Sequence, residues 1–450
     1  MTRPARVLAA LAAAGTLTLT GCHGEPPTTA PSPTRSTPTT TSPSASPTPG
    51  TIRLSAADGS DVAVHWVDAP TGSAAPGSDY AVISTLTMPT ECGEQLVPRV
   101  LLADAAWFVG IRPAALCAWQ GESVLPAGYG VGILPSGASD VTSWPSTASL
   151  VPGDDPRQVT SLTADGDTVV WSETASTGLD VDSWRVFAAS RTDGVPHLVA
   201  RAEELTGGKD LPFYESTYAI SGTDVYWSSA PPEGPDANAP VVVSKSLSGH
   251  GTIAIVAEDC DQPVTTDHGV VVRTISMAST IGQDAYGKPE PQQNMTADGL
   301  ALVTADGLEP LLHIESDDPL PFGVHVDALA ASGSRVAFAV GASEYLLDLD
   351  TNEVTGFKVG GVPVPGQGEA VVSAPVVTST SAVTAELMAW SYGNGAASGT
   401  EPVFVYRFDS GVLKRVDVPR NGGTVWAVGD TVAWDASDGT YAFETVTSWR

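Results

Sequence analysis

The residues able to do chemistry are few and scattered. Beyond Cys22 near the N-terminus the chain holds Cys92, Cys117 and Cys260. None of the three lies in a C-x-x-C or adjacent-cysteine arrangement, the spacing that structural zinc or dithiol redox chemistry uses. In an oxidising compartment a disulfide is permitted. Cys92 and Cys117 flank one structural unit and are the expected pair, with Cys260 able to displace either. The histidines, His23, His65, His197, His250, His268, His313 and His325, are dispersed. No G-x-S-x-G nucleophile elbow and no H-E-x-x-H zinc motif occurs. Asp348, Asp350 and Asn352 alternate as in a calcium loop. An EF-hand loop, however, needs Gly at its sixth position and Glu at its twelfth, where this chain has Glu353 and Val359. A tight turn between strands explains the same letters. His268 beside Asp267, and the Asp317-Asp318 pair, fall between strands and read as turn or solvated residues. No catalytic residue, metal or cofactor is assigned. Paired carboxylates can hydrolyse glycosides, but nothing singles out one pair among 51 acidic residues.

Those 51 acids face only 21 basic residues, a net charge of −30 in 450 residues. Such a surface repels nucleic acid and anionic lipid, which recruit cationic proteins. The 45 Gly and 36 Pro cut the chain into short elements. Val100 to Trp119 is the most apolar stretch beyond the leader. Asp104, Arg112 and Pro113 interrupt it, so it reads as two buried strands turning at Arg112-Pro113 rather than a membrane span.

Three regions divide the chain. Residues 1–21 have the layout of a secretory leader, with Arg3 and Arg6 ahead of an apolar run from Val7 to Thr20 that is too short to span a bilayer. Residues 22–50 hold Cys22 and then a tract of mostly Pro, Thr and Ser. That tract lacks the apolar residues needed to nucleate a core. As a polyproline-like stalk it reaches at most roughly 85 Å, at about 3.1 Å per residue. Residues 51–450 form the folded domain.

Within that domain one short phrase recurs. "ADGDTVVW" ends at Trp171 and "AVGDTVAW" at Trp434. Weaker copies end at Trp227, Phe338 and Trp390, and the pattern survives around Trp107 and Val271. Each copy reads as a strand end, a Gly-Asp type turn, and a new strand opened by β-branched and aromatic residues. After most anchors come a further strand, a tight turn and a last strand, with turns at Thr192-Asp193-Gly194, Ser248–Gly251, Asp350–Asn352 and Asp409-Ser410-Gly411. A four-stranded antiparallel unit repeated along a chain predicts an all-β propeller. Seven blades fit the anchors, with six and eight as alternatives. The aromatic anchors read as wedges between blades. The C-terminal unit is one strand short, and residues 51–67 ("TIRLS" or "DVAVHWV") are the expected closing strand. Residues 68–160 hold more chain than one blade requires, which makes them the favoured place for a specific function.

Two resemblances follow from these motifs. Leu19-Thr20-Gly21-Cys22 resembles a bacterial lipobox, which implies cleavage before Cys22 and acylation of its thiol, with palmitate among the acyl chains. The repeats resemble secreted bacterial β-propellers of the TolB-like and YVTN types. Together they imply a lipoprotein anchored at the extracytoplasmic face of the cell membrane. Its expected role is a binding or scaffolding module for an envelope protein or cell-wall ligand. The alternative is an exported propeller hydrolase or lyase acting on polysaccharide or peptide. Oligomeric state is not legible in the sequence.

Overall fold

The computed structural model describes residues 52–68, 70, 72–89, 95–112, 130–152, 158–174, 183–208, 214, 216–232, 239–283, 289–316, 326–340, 343–358, 377–393, 400–419, 423–437 and 441–450. Three strands lead: β1 (Ile52–Ala56), β2 (Val64–Asp68) and β3 (Tyr80–Pro89). Blade 1 is β4 (Gln95–Leu101), β5 (Trp107–Arg112), β6 (Gly130–Leu134) and β7 (Thr142–Ser143). Blade 2 is β8 (Gln158–Asp165), β9 (Thr168–Thr174), β10 (Trp184–Ser190) and β11 (His197–Arg201), followed by the short helix α1 (Ala202–Thr206). Blade 3 is β12 (Tyr218–Ser221), β13 (Asp224–Ser229), β14 (Val241–Ser246) and β15 (Ala254–Glu258). Blade 4 is β16 (Cys260–Thr266), β17 (Gly269–Gln283), β18 (Pro289–Thr304) and β19 (Gly307–Ser316). Blade 5 is β20 (Val326–Ser332), β21 (Arg335–Val340), β22 (Ser343–Asp348) and β23 (Glu353–Lys358). Blade 6 is β24 (Val377–Val383), β25 (Leu387–Gly393), β26 (Thr400–Arg407) and β27 (Val412–Pro419). Blade 7 is β28 (Val425–Val428), β29 (Thr431–Ser437) and β30 (Tyr441–Trp449), completed by β3.

The blades close into a seven-bladed propeller. Their first strands meet in sequence, β4 to β8, β12, β16, β20, β24 and β28, and β28 meets β4 again. The recurring phrase is the hairpin between first and second strands. In blades 2, 3, 5 and 7 its glycine, at positions 166, 222, 333 and 429, has φ between 54° and 61°. A two-residue hairpin that starts on Gly needs that left-handed conformation. The seven anchors all lie in second strands and are buried: Trp107, Trp171, Val271, Trp227, Phe338, Trp390 and Trp434.

Alternation along a second strand sends neighbouring side chains to opposite faces of the blade. Trp171 therefore packs with Phe108 of blade 1, and Val170 with Trp227 of blade 3. Seven hydrophobic clusters result, each shared by two adjacent blades. The anchors are wedges between blades.

One expectation needs correction. The closing strand is β3, not residues 51–67. It pairs antiparallel with β30 from Tyr80↔Trp449 to Pro89↔Tyr441. Tyr80 stacks on Trp449 with centroids 5.1 Å apart, which seats the strand in blade 7. Residues 52–68 instead form a strap. β1 adds antiparallel to β19 at the rim of blade 4, and β2 adds parallel to β23 at the rim of blade 5. The chain then touches blade 6, where Ser73 bridges Arg415 and the Ala74 N–H donates to the Arg415 carbonyl at 2.6 Å. Asp79 pairs with Lys414 at 3.0 Å on the way to β3. The extra chain in 68–160 is thus partly the link along blade 6 and the closing strand. Val100–Trp119 begins in β4 and continues through β5, and its expected turn at Arg112-Pro113 runs into residues outside the described set. The first turn of blade 1 falls at residues 102–106, because Leu101 pairs with Trp107. Arg112 ends a strand and Pro113 lies outside the described residues.

Candidate functional site

The ring has a turn end, which carries the turns between first and second and between third and fourth strands, and a loop end, which carries the second-to-third and inter-blade connections. Buried charged residues lie near the loop end, and two groups of these stand out.

The first group joins blades 3, 4 and 5. Asp261 enters β16 almost fully buried. Arg273, opposite it on β17, donates from Nε to Asp261 Oδ1 and from Nη2 to Oδ2, both at 2.7 Å. Its Nη1 donates to the Val326 carbonyl at 2.5 Å and to Asp327 Oδ1 at 3.3 Å. The Tyr214 hydroxyl donates to Asp261 Oδ2 at 2.5 Å. Burial and the neighbouring Asp261 carboxylate hold that phenol protonated, well above its ordinary range. Asp259, Gln262 and Ala328 all have φ near 50°, a strained region for residues with a side chain. The Gln262 amide is held by the Ser228 hydroxyl at 2.9 Å. Arg273 ties Asp261 of blade 4 to Val326 and Asp327 of blade 5, so the group works as a fastener between blades.

The second group is in the closing blade. Asp435 on β29 and Glu444 on β30 are register partners, directly across the sheet from each other. Glu444 is 5% exposed, and its Oε2 is a buried carboxylate oxygen with no hydrogen-bond partner among the described residues. Burial, with the Asp435 carboxyl beside it, pushes Glu444 up to about 9. Burial also raises Asp435, against the Thr424 amide, which donates to its Oδ1 at 2.8 Å. At neutral pH Glu444 therefore carries a proton. Chemically this is a protonated acid beside a second carboxyl group, the pairing that general acid catalysis uses. Its two members lie nine residues apart in sequence and are brought together by the β29–β30 register, so no motif announces the pair.

The residues singled out in sequence are distributed differently. Cys22, Cys92 and Cys117 lie outside the described residues, as do His23, His325 and Asp317-Asp318. Cys260 is a buried thiol with no disulfide partner among the described residues, and burial pushes it up to about 12. His268 and Asp350 meet at 2.9 Å on the turn end, joining the β16–β17 turn of blade 4 to the β22–β23 turn of blade 5. Asp348 accepts the Asp350 amide at 3.0 Å and the Ser334 hydroxyl at 3.2 Å, so Asp348–Asn352 is a turn fastened at its root. The His197 ring meets the Leu247 carbonyl at 2.7 Å, linking blades 2 and 3. Helix α1 is held between the same blades. Glu203 pairs with Arg185 at 2.7 Å and Glu204 with Lys245 at 2.5 Å.

No protein-family model and no curated protein matches the chain. Solved structures do. A puromycin-hydrolysing peptidase of Mycobacterium tuberculosis is similar over 78% of this chain and 51% of its own, at 12% identity and a TM-score of 0.45. This chain thus spans about half the length of that peptidase. The β-propeller domain of the Trilobed protease of Pyrococcus furiosus, which has an open velcro topology, is similar over 79% of this chain and 95% of its own, at 9% identity and a TM-score of 0.42. A Bacteroides fragilis protein that carries the name of an exported protein is similar over 86% of this chain and 100% of its own, at 11% identity and a TM-score of 0.38. These likenesses are distant, and the blade count rests on the seven sheets themselves.

Proposed function

We propose that this chain is an extracytoplasmic lipoprotein whose propeller serves as a binding or scaffolding module at the cell envelope. The observation that carries the reading is the order of parts along the sequence: a leader ending in Leu-Thr-Gly-Cys22, a Pro/Thr/Ser stalk, then a domain that closes on itself. Several acyl chains on one cysteine would hold the protein at the membrane stably. Propellers commonly serve as platforms, so the reading rests on the site and the tether rather than on fold alone. Buried polar groups support it, since they brace adjacent blades as a platform requires.

The second reading, an exported hydrolase or lyase, is favoured by one observation, the protonated Glu444 beside Asp435.

The experiment is metabolic labelling with a clickable palmitate analogue, followed by crosslinking on intact cells. The expected result is label and membrane partition in the native chain, both lost in Cys22→Ser, with one specific envelope protein recovered in the crosslinked material. Label that persists in Cys22→Ser contradicts the anchor. Turnover of cell-wall glycans or peptides by the native domain that Glu444→Gln abolishes would favour the second reading.

A further inference from the structure

The strap is attached differently from the strand that follows it. β3 completes blade 7, buries Tyr80 and stacks it on Trp449. Residues 52–68 lie against blades 4 and 5, which already have four strands of their own. Within 52–68 only Leu54 and Ser55 are buried, and no residue of β2 is. Its other apolar side chains are only partly buried, Ile52, Val62 and Val64 beside the cluster of blades 4 and 5 and Val67 beside that of blades 5 and 6, and its release leaves the ring closed by β3. Segments with few buried contacts open locally, well before the molecule unfolds.

Release has a consequence for what it uncovers. β19 and β23 then become sheet edges with unpaired backbone N–H and C=O groups, which seek another strand. Both edges are shaped for one occupant. On blade 4 the Leu54 side chain enters the cluster of Val271, Leu312, Ile314 and Val326. On blade 5 the Trp66 ring lies on Gly356, where a Cβ would come within 2.7 Å of its Cζ3, and meets Tyr345 edge-on at 5.8 Å. The segment that satisfies both seats is residues 52–68 itself, and a second copy carries the same segment. The strap is joined to the closing strand through Pro70 and Gly72.

We propose that residues 52–68 are exchangeable between copies: the strap of one molecule seats on β19 and β23 of another, which makes the rims of blades 4 and 5 a self-association surface. The exchange reuses contacts already present, the condition under which domain swapping is a low-cost route to dimers. It depends on the fold alone and stands whether or not the envelope reading does.

The test uses the β2–β23 register, in which His65 faces Thr355. Full-length His65→Cys and Thr355→Cys chains, carrying different tags, are mixed under mild oxidation, with the native cysteines retained and native chains as control. The double variant, His65→Cys with Thr355→Cys, reports that the pair can form a disulfide. The expected result is a monomeric crosslink in the double variant and a disulfide-linked heterodimer in the mixture. A synthetic peptide of residues 52–68 in excess should suppress that heterodimer at least tenfold, and the same peptide with Trp66→Ala should not. An intrachain crosslink in the double variant with no heterodimer in the mixture would overturn the proposal. So would a heterodimer that the native peptide leaves unchanged.

Discussion

Glu444 shows how much one register position can decide. Its folded-state pKa, about 9, lies above the ordinary 4.5, so the folded chain binds a proton that the unfolded chain releases. The stabilisation is complete below pH 4.5 and is lost progressively as pH rises to about 9, by up to tenfold in the unfolding equilibrium per pH unit. Asp435 is shifted in the same direction and adds to the trend. Denaturant midpoints at pH 5, 7 and 9 should therefore fall with pH in the native chain and fall much less in Glu444→Gln. Equal slopes in the two would show that Glu444 does not hold that proton. Arg273 is the opposite case, a charge whose partner depends on it. Arg273→Met leaves the buried Asp261 with the Tyr214 hydroxyl but without its cation, which should cost about 3–5 kcal/mol. Arg53→Met, at the exposed Asp61 pair, should move the midpoint far less. Urea midpoints of the two variants check this contrast. Neither Asp261–Arg273 nor Asp435–Glu444 is legible as sequence, because both depend on which residues a hairpin sets opposite each other.

At the scale of elements, the hairpins were legible and their assembly less so. The Gly-Asp phrase, the tight turns at Asp193-Gly194, Asn352 and Gly411, and the seven buried anchors could all be read, because turn chemistry and period-two alternation are local signals. The strand that closes the ring could not. "TIRLS", "DVAVHWV" and "YAVISTLTMP" are all β-like, and pairing with a distant edge leaves no local mark. The Trp66 seat belongs to this scale too. Gly356 is ordinary in backbone terms, yet a methyl group there collides with the indole. Gly356→Ala should destabilise the native chain by about 1–3 kcal/mol, the range for overpacking. The same change made in a Trp66→Ala background should be nearly neutral. A double-mutant cycle measured by thermal unfolding decides it, since equal costs in both backgrounds would remove Trp66 from the account.

The whole molecule joins its two ends in one blade. β3 comes from near the start of the domain and β28 to β30 from its end, and Arg450 donates back to the Gly77 carbonyl at 2.9 Å. Cooperative stability should therefore depend on residues 80–89 far more than on the strap before them. That is the central claim, and it is tested most directly by unfolding three chains that begin at residues 51, 69 and 90. Chains from 51 and from 69 should each give a single cooperative thermal transition, the second at a modestly lower temperature. The chain from 90, which lacks β3, should fail to form a compact, cooperatively unfolding domain. A chain from 90 that unfolds as cooperatively as the chain from 51, or a chain from 69 that is already unfolded, would contradict closure by β3.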